Sequence, residues 1–173
     1  MTTEDHPGQA PLIRIAAPPG TGKSAVLPHL VARAHGAAVV ADIDEILEQG
    51  HLLGVPIADP AAAEAWPAYD RLWDRITGLV TRTGIPMVLL TQVPDADVDA
   101  VAGELLLGWE IGDAQRAARL RARGESDDVI DDARHDAEVL RALLPPARIH
   151  RGGRDDAVSQ AADQLWRFVA SHW

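Results

Sequence analysis

A chain of 173 residues with 47% hydrophobic content is long enough to bury one full core, which excludes general disorder. Its net charge of −10 argues against tight binding to a nucleic-acid backbone, which needs Lys and Arg surfaces. It has no cysteine, which excludes disulfides, thiol catalysis and Cys-ligated zinc, and no apolar run approaches the ~18 residues of a membrane span.

Residues 1–10 read as a loose tail without a basic-then-apolar leader pattern, so the expected location is the cytoplasm. Residues 11–173 read as a single domain. Leu12-Ile13-Arg14-Ile15-Ala16 is a short buried strand. Ala17-Pro18-Pro19-Gly20-Thr21-Gly22-Lys23-Ser24 follows it, and then an apolar-periodic helix from Ser24 to about His35. Pro28 predicts a local distortion in that helix, and Gly36 caps its end. A second strand is expected over 37–41, ending in Asp42-Ile43-Asp44, with a short helix to about Gln49. Residues 50–60 read as a Gly/Pro loop.

Asp59-Pro60 predicts the next helix start, with Pro67 breaking or restarting the helix. Trp66, Tyr69, Leu72, Trp73, Ile76, Leu79 and Val80 recur at helical spacing down to Arg82, and Gly84 ends the pattern. Further strands are expected over 87–91 and 105–109, with 97–103 as a connection between them. Helices over 113–123 and 128–143 come next, and Asp128 reads as the cap of the second. Pro145-Pro146 stops that helix before a last short strand, 147–150. An amphipathic helix over about 155–171 closes the chain. Strands that alternate with helices imply a five-stranded parallel sheet covered on both faces, with a ligand at the carboxyl ends of the strands.

Residues 17–24 form a phosphate-binding loop in which Ala17 stands where Gly is usual. Gly20 and Gly22 let backbone N–H groups, with those of Thr21 and Ala25, approach a polyphosphate. Lys23 reaches the β- and γ-phosphates, and the Ser24 hydroxyl is a ligand for Mg²⁺. Strand, loop and helix N-terminus together make an anion site.

Asp42 and Asp44 end the second strand on the same side as this loop. One carboxylate suits Mg²⁺, and the other can orient or deprotonate an attacking hydroxyl. The competing reading is that Asp44 only caps a helix. Arg116, Arg119 and Arg123 share one helical face at i, i+3 and i+7, placed to neutralise a transferring phosphoryl group; the alternative is a solvated surface helix. Trp66 and Arg71 are candidates for acceptor binding, whereas Trp73 reads as core. The acidic stretch 125–136 reads as solvated helix surface rather than a metal site.

The order of these motifs resembles the small P-loop kinases, of the shikimate-kinase and adenylate-kinase type, over residues 11–171. That resemblance implies a P-loop fold with a small helical lid (112–128) and a substrate-binding segment (45–82). It implies ATP and Mg²⁺ as cofactors and a small-molecule acceptor as partner, with no membrane, and a monomer or homodimer. Residue by residue, it implies phosphate contacts from Ala17 to Ser24, metal at Ser24 and Asp42, and acceptor at Asp44. It places Arg119 against adenine or the phosphates and Arg123 in the lid. It puts Gly152-Gly153-Arg154-Asp155 beside adenine, with Arg154 on the nucleotide. Thr91-Gln92-Val93-Pro94-Asp95 departs from the Gly-rich run of shikimate kinases, which argues against shikimate. An ATP-hydrolysing switch that uses Gln92 or Glu45 to hold water is the alternative, and a nucleotide or nucleic-acid kinase is the weaker third.

Overall fold

The computed structural model describes residues 10–47, 51–52, 55–56, 63–94, 104–153 and 156–173. In chain order these give β1 (Leu12–Ala16), α1 (Lys23–Ala34), β2 (Val39–Asp42), β3 (His51–Leu52), β4 (Val55–Pro56) and α2 (Trp66–Arg82). They continue with β5 (Met87–Thr91), β6 (Glu104–Glu110), α3 (Asp113–Ala122), α4 (Asp127–Leu143), β7 (Ile149–Arg151) and α5 (Val158–Ala170). The main sheet runs β2-β5-β1-β6-β7 and every pair in it is parallel. No helix among the described residues is long and apolar enough to cross a membrane.

β1 and β5 read as near-continuous apolar runs because the sheet is covered on both faces. Alternate residues go to opposite sides. Ile13, Ile15, Val88, Leu90, Leu107 and Trp109 pack with Val26 and Leu30 of α1 and Leu165 and Val169 of α5. On the other face, Leu12, Met87 and Leu89 meet Tyr69 and Trp73 of α2, and Ala16 and Ile149 meet Leu140 of α4. Each large aliphatic side chain buried this way contributes about 1.5–3 kcal/mol, so the two cores hold the sheet in place beneath the loops at its carboxyl edge.

Several expectations change in detail. Val39 and Asp42 bound the second strand, and the expected helix after it is one 3-10 turn, Ile43–Ile46. Asp42, not Asp44, is its cap. The Asp42 carboxylate accepts from the Asp44 N–H at 3.2 Å, and Glu45 Oε2 accepts from the Asp42 N–H at 2.9 Å. The reciprocal bonds form a capping box that satisfies two backbone donors at once. His51–Leu52 and Val55–Pro56 form an antiparallel hairpin inside the stretch read as loop. Ser126 rather than Asp128 caps α4, its hydroxyl accepting from the Val129 N–H at 3.4 Å. Helix α1 runs unbroken through Pro28. The carbonyl this proline leaves unmatched belongs to Ser24, which is exposed and open to water. The Asp59-Pro60 helix start and the 97–103 connection lie outside the described residues.

At the far edge of the sheet the His150 ring packs on Phe168 at 5.5 Å, and burial pushes its pKa below the ordinary 6.5, with Asp156 partly opposing. A folded state that holds this ring neutral loses stability once the unfolded chain begins to take up the proton. Urea midpoints of the wild type are therefore expected to fall, relative to those of His150→Gln, between about pH 7.5 and about pH 5.5. Parallel profiles for the two proteins would refute this.

Candidate active site at the carboxyl edge of the sheet

The phosphate-type loop springs directly from the sheet. Ala17 is fully buried, packs in the α1 and α5 core, and its N–H donates to the Thr91 carbonyl at 3.2 Å. A methyl group at this position therefore fills core rather than obstructing the loop. The Thr21 N–H and hydroxyl both donate to the Pro18 carbonyl, at 3.3 and 2.7 Å, which closes the turn. Gly20 and Gly22 have φ of 79° and 114°, a region that disfavours side chains. A Cβ on Gly20 would lie 2.9 Å from Leu120 Cγ and 3.0 Å from Arg116 Cγ, so α3 lies directly against the loop. Helix α1 begins at Lys23; the Ala25 N–H already donates to the Gly22 carbonyl at 3.1 Å, while those of Lys23 and Ser24 precede the first bond of the helix. They lie at the positive end of the helix dipole, as an anion requires.

Lys23 Nζ donates to the Ala17 carbonyl at 3.1 Å. Burial pushes the amine below its ordinary pKa, while Asp42, Asp44 and Asp136 pull it back up and Arg123 adds to the lowering. The loop lysine, both carboxylates of the Asp-x-Asp pair and the predicted lid arginine are thus within electrostatic reach of one another. Asp42 is 2% exposed, and its Oδ2 has no hydrogen-bond partner. Burial raises this carboxyl to about 6, against the opposing bond from the Asp44 N–H and the Lys23 charge. A buried carboxylate oxygen left without a partner fits a hard divalent cation, as does the exposed Ser24 hydroxyl. No group of three or more His, Cys, Asp or Glu forms a metal cage among the described residues. Mg²⁺ needs none, because it keeps waters and phosphate oxygens as most of its ligands.

The three arginines of α3 separate in the structure. Arg116 is 2% exposed and committed to its own helix start, donating to Asp113 Oδ1 at 2.7 Å and to the Ile111 carbonyl at 3.3 Å. It is a structural strut, which leaves Arg119 and Arg123 as the candidates on this helix. Arg119 Nη1 donates to the Thr21 carbonyl at 2.6 Å, which lays its guanidinium over the loop. Arg123 ends α3 and is exposed. Asp113 also accepts from Arg141 at 3.0 Å, and Glu110, 5% exposed, pairs with Arg141 at 2.7 Å and Arg151 at 2.8 Å. This ionic chain ties α3, α4 and β7 to the end of β6.

On the other side of the loop, the Tyr69 hydroxyl and the Trp73 indole both donate to the Ile43 carbonyl, the latter at 3.0 Å. They pin the turn that carries Asp44. Trp66 is half-buried and meets the Tyr69 ring edge-on at 5.8 Å. Arg71 lies two residues beyond Tyr69, about 200° around the helix, and is exposed on the side away from that contact. Asp136 of α4 is a group that sequence reasoning assigned to solvent. Burial and Asp132 raise its carboxyl, while His135, Lys23 and Arg116 lower it, so it borders the loop lysine. The signal was present in the sequence, since Asp136 flanks the buried Ala133, Ala137 and Leu140 stripe. Arg154 lies outside the described residues.

No protein-family model matches the chain, and no curated protein matches it in sequence. Solved structures match it in fold. A gluconokinase from Sinorhizobium meliloti superposes with a TM-score of 0.60 over 95% of this chain and 94% of its own, at 16% identity. A shikimate kinase from Acinetobacter baumannii, in complex with shikimate, gives 0.61 over 94% of each chain at 14% identity. The tunicamycin resistance protein of Deinococcus radiodurans gives 0.56 over 93% of this chain and 96% of its own, at 17% identity. The chain has the fold of the small P-loop kinases.

Proposed function

We propose that this chain is an ATP-dependent phosphotransferase that moves the γ-phosphoryl group to a hydroxyl of a small molecule. The observation that carries the reading is the meeting of Lys23, Asp42 and Asp44 at the mouth of one anion-binding loop. The N–H groups at the start of α1 and the Lys23 amine hold the phosphates, and Arg119 lies beside them. Asp44 orients the acceptor hydroxyl and takes its proton as the new O–P bond forms and the ADP oxygen leaves. Ser24 and Asp42 would hold Mg²⁺, which supplies charge neutralisation across the phosphate oxygens when bound. Arg123 and the remainder of 112–128 act as the lid, and 45–82, with Trp66 at its inner face, shapes the acceptor pocket.

The hydrolytic-switch alternative needs a free group to hold water. Of the two residues it would use, Glu45 is engaged at the Asp42 N–H at 2.9 Å, while Gln92 is exposed just beyond β5.

The test is ADP release from Mg-ATP with and without pooled nucleosides, sugars, aminoglycosides and hydroxylated amino acids. Acceptor-dependent turnover is expected, and Asp44→Asn should lower kcat by about 10²- to 10⁴-fold with nucleotide binding retained. Turnover that ignores every pool and survives Asp44→Asn would sink the reading.

A further inference from the structure

Helices α2 and α4 cover the same face of the sheet. Tyr69 and Trp73 of α2 pack over β2 and β5, and Leu140 of α4 packs over β1 and β7. The gap between the two helices opens at the carboxyl edge, beside the phosphate loop. One wall is the turn that carries Asp44, pinned to α2 by Tyr69 and Trp73. The other wall is α4. Leu140 packs on Ala16, the last residue of β1, and Asp136 stands one turn earlier in the helix. A further turn back, Ala133 packs on Leu120 of α3. Lys23 lies between the walls, within electrostatic reach of Asp44 and Asp136 alike.

Both carboxylates are half-buried, and neither makes a hydrogen bond or ion pair among the described residues. Half-buried polar groups ordinarily find a partner. The nearby cations are committed elsewhere. Lys23 turns to the phosphates once nucleotide is bound. Arg116, the other cation close to Asp136, is held by Asp113 and the Ile111 carbonyl. The sequence of the acceptor segment has the same bias. From Asp42 to Asp70 it contains no lysine or arginine, while Asp44, Glu45, Glu48, Asp59 and Glu64 recur through it.

A cleft with carboxylates on both walls and no counter-charge to spare repels an anionic acceptor and draws a cation. Bound nucleotide adds negative charge and strengthens both effects. A neutral acceptor would press against Asp136 and desolvate it without pairing its charge. An ammonium group carries only donors, and its hydrogen bonds to a carboxylate are charge-assisted.

We propose that the acceptor is an amino alcohol or amino sugar whose protonated amine rests against Asp136 while its hydroxyl meets Asp44, which makes Asp136 the residue that selects a cationic acceptor. The inference rests on the phosphotransferase reading given above.

The test compares ADP release from Mg-ATP with three pools: amino sugars and amino alcohols, the same compounds N-acetylated, and sugar acids. The first pool should support turnover and the other two should not. Asp136→Asn should raise the KM for the cationic acceptor about ten- to a hundredfold, with kcat and the KM for ATP close to those of the wild type. Turnover with the N-acetylated or acid pool that equals or exceeds that of the first overturns the proposal. So does an Asp136→Asn variant that raises the KM for ATP instead, because Asp136 then serves Lys23 alone. If no pool supports turnover, the backbone ¹⁵N–H spectrum of the wild type with magnesium ADP decides. Glucosamine should move the Asp44 and Asp136 signals and N-acetylglucosamine should not; signals that stay still, or that move alike with both, overturn the proposal. A protein whose phosphate-loop signals ignore magnesium ADP has lost the phosphotransferase reading itself, and the role of Asp136 falls with it.

Discussion

Lys23→Ala is expected to lower turnover about 10²- to 10³-fold while the protein stays folded. The two halves of that result have different causes. The amine is the only mobile positive charge the phosphate loop itself supplies, and Lys23 is the only lysine in the chain, so no neighbouring lysine can substitute. Its loss removes stabilisation that grows as charge builds on the transferring group. The folded state, by contrast, keeps this amine at a cost. Burial pushes its pKa below the ordinary 10.5, so at neutral pH the charged amine is less stable in the folded protein than in the unfolded chain. Removing it relieves that cost but releases the Ala17 carbonyl and leaves Asp42 without its nearest counter-charge. The two effects oppose each other, and the melting temperature should move by no more than about 4 °C. Paired measurement of kcat and thermal unfolding checks it. A variant that loses activity only in proportion to unfolded protein would show Lys23 to be structural.

Gly20→Ala should destabilise the protein by about 2–3 kcal/mol and abolish nucleotide binding. The backbone alone, with φ at 79°, accounts for roughly 1 kcal/mol. The rest comes from the new methyl, which would stand 2.9 Å from Leu120 Cγ and 3.0 Å from Arg116 Cγ. Arg116 cannot swing clear, because its guanidinium is held by Asp113 and the Ile111 carbonyl. The loop or α3 must therefore shift, and either movement displaces the donors that face the phosphates. Gly36 supplies the control. It has nearly the same φ, 80°, but a Cβ there meets nothing within 4 Å. Urea denaturation of the two alanine variants should separate by about 1–2 kcal/mol. Equal losses would mean that α3 does not press on the loop.

Legibility from sequence followed the range of the interactions. The β1 strand, its glycine loop and α1 were readable because each is specified locally, by an apolar run, by glycines and by helical periodicity. Asp42 and Asp44 were readable as a pair at the end of a strand, but their division of labour was not. The predicted helix is a single 3-10 turn capped by Asp42, and only geometry reveals that one Asp42 oxygen is left over. Arg116 and Arg119 look alike at helical spacing. They part because Asp113 and the Ile111 carbonyl capture one, while the Thr21 carbonyl, distant in sequence, captures the other. Asp136 flanks a buried helix stripe that is legible in the sequence, but its neighbour Lys23, far away in the chain, is not.

The strand order also bears on how the protein acquires its site in time. The two neighbours of β1 lie far downstream of it in the chain: Leu12 pairs with Met87 of β5 on one side and Glu104 of β6 on the other. Long-range parallel pairings of this kind form slowly, because the loop between the partners must close before any contact rewards it. The glycine loop therefore cannot take its final shape before β5 and β6 have paired with β1, and α3 must arrive before Gly20 and Arg119 find their contacts. During that interval the apolar β1 strand has no partner and is the segment most exposed to aggregation. The shape of the glycine loop is then gained together with the sheet, abruptly rather than by degrees.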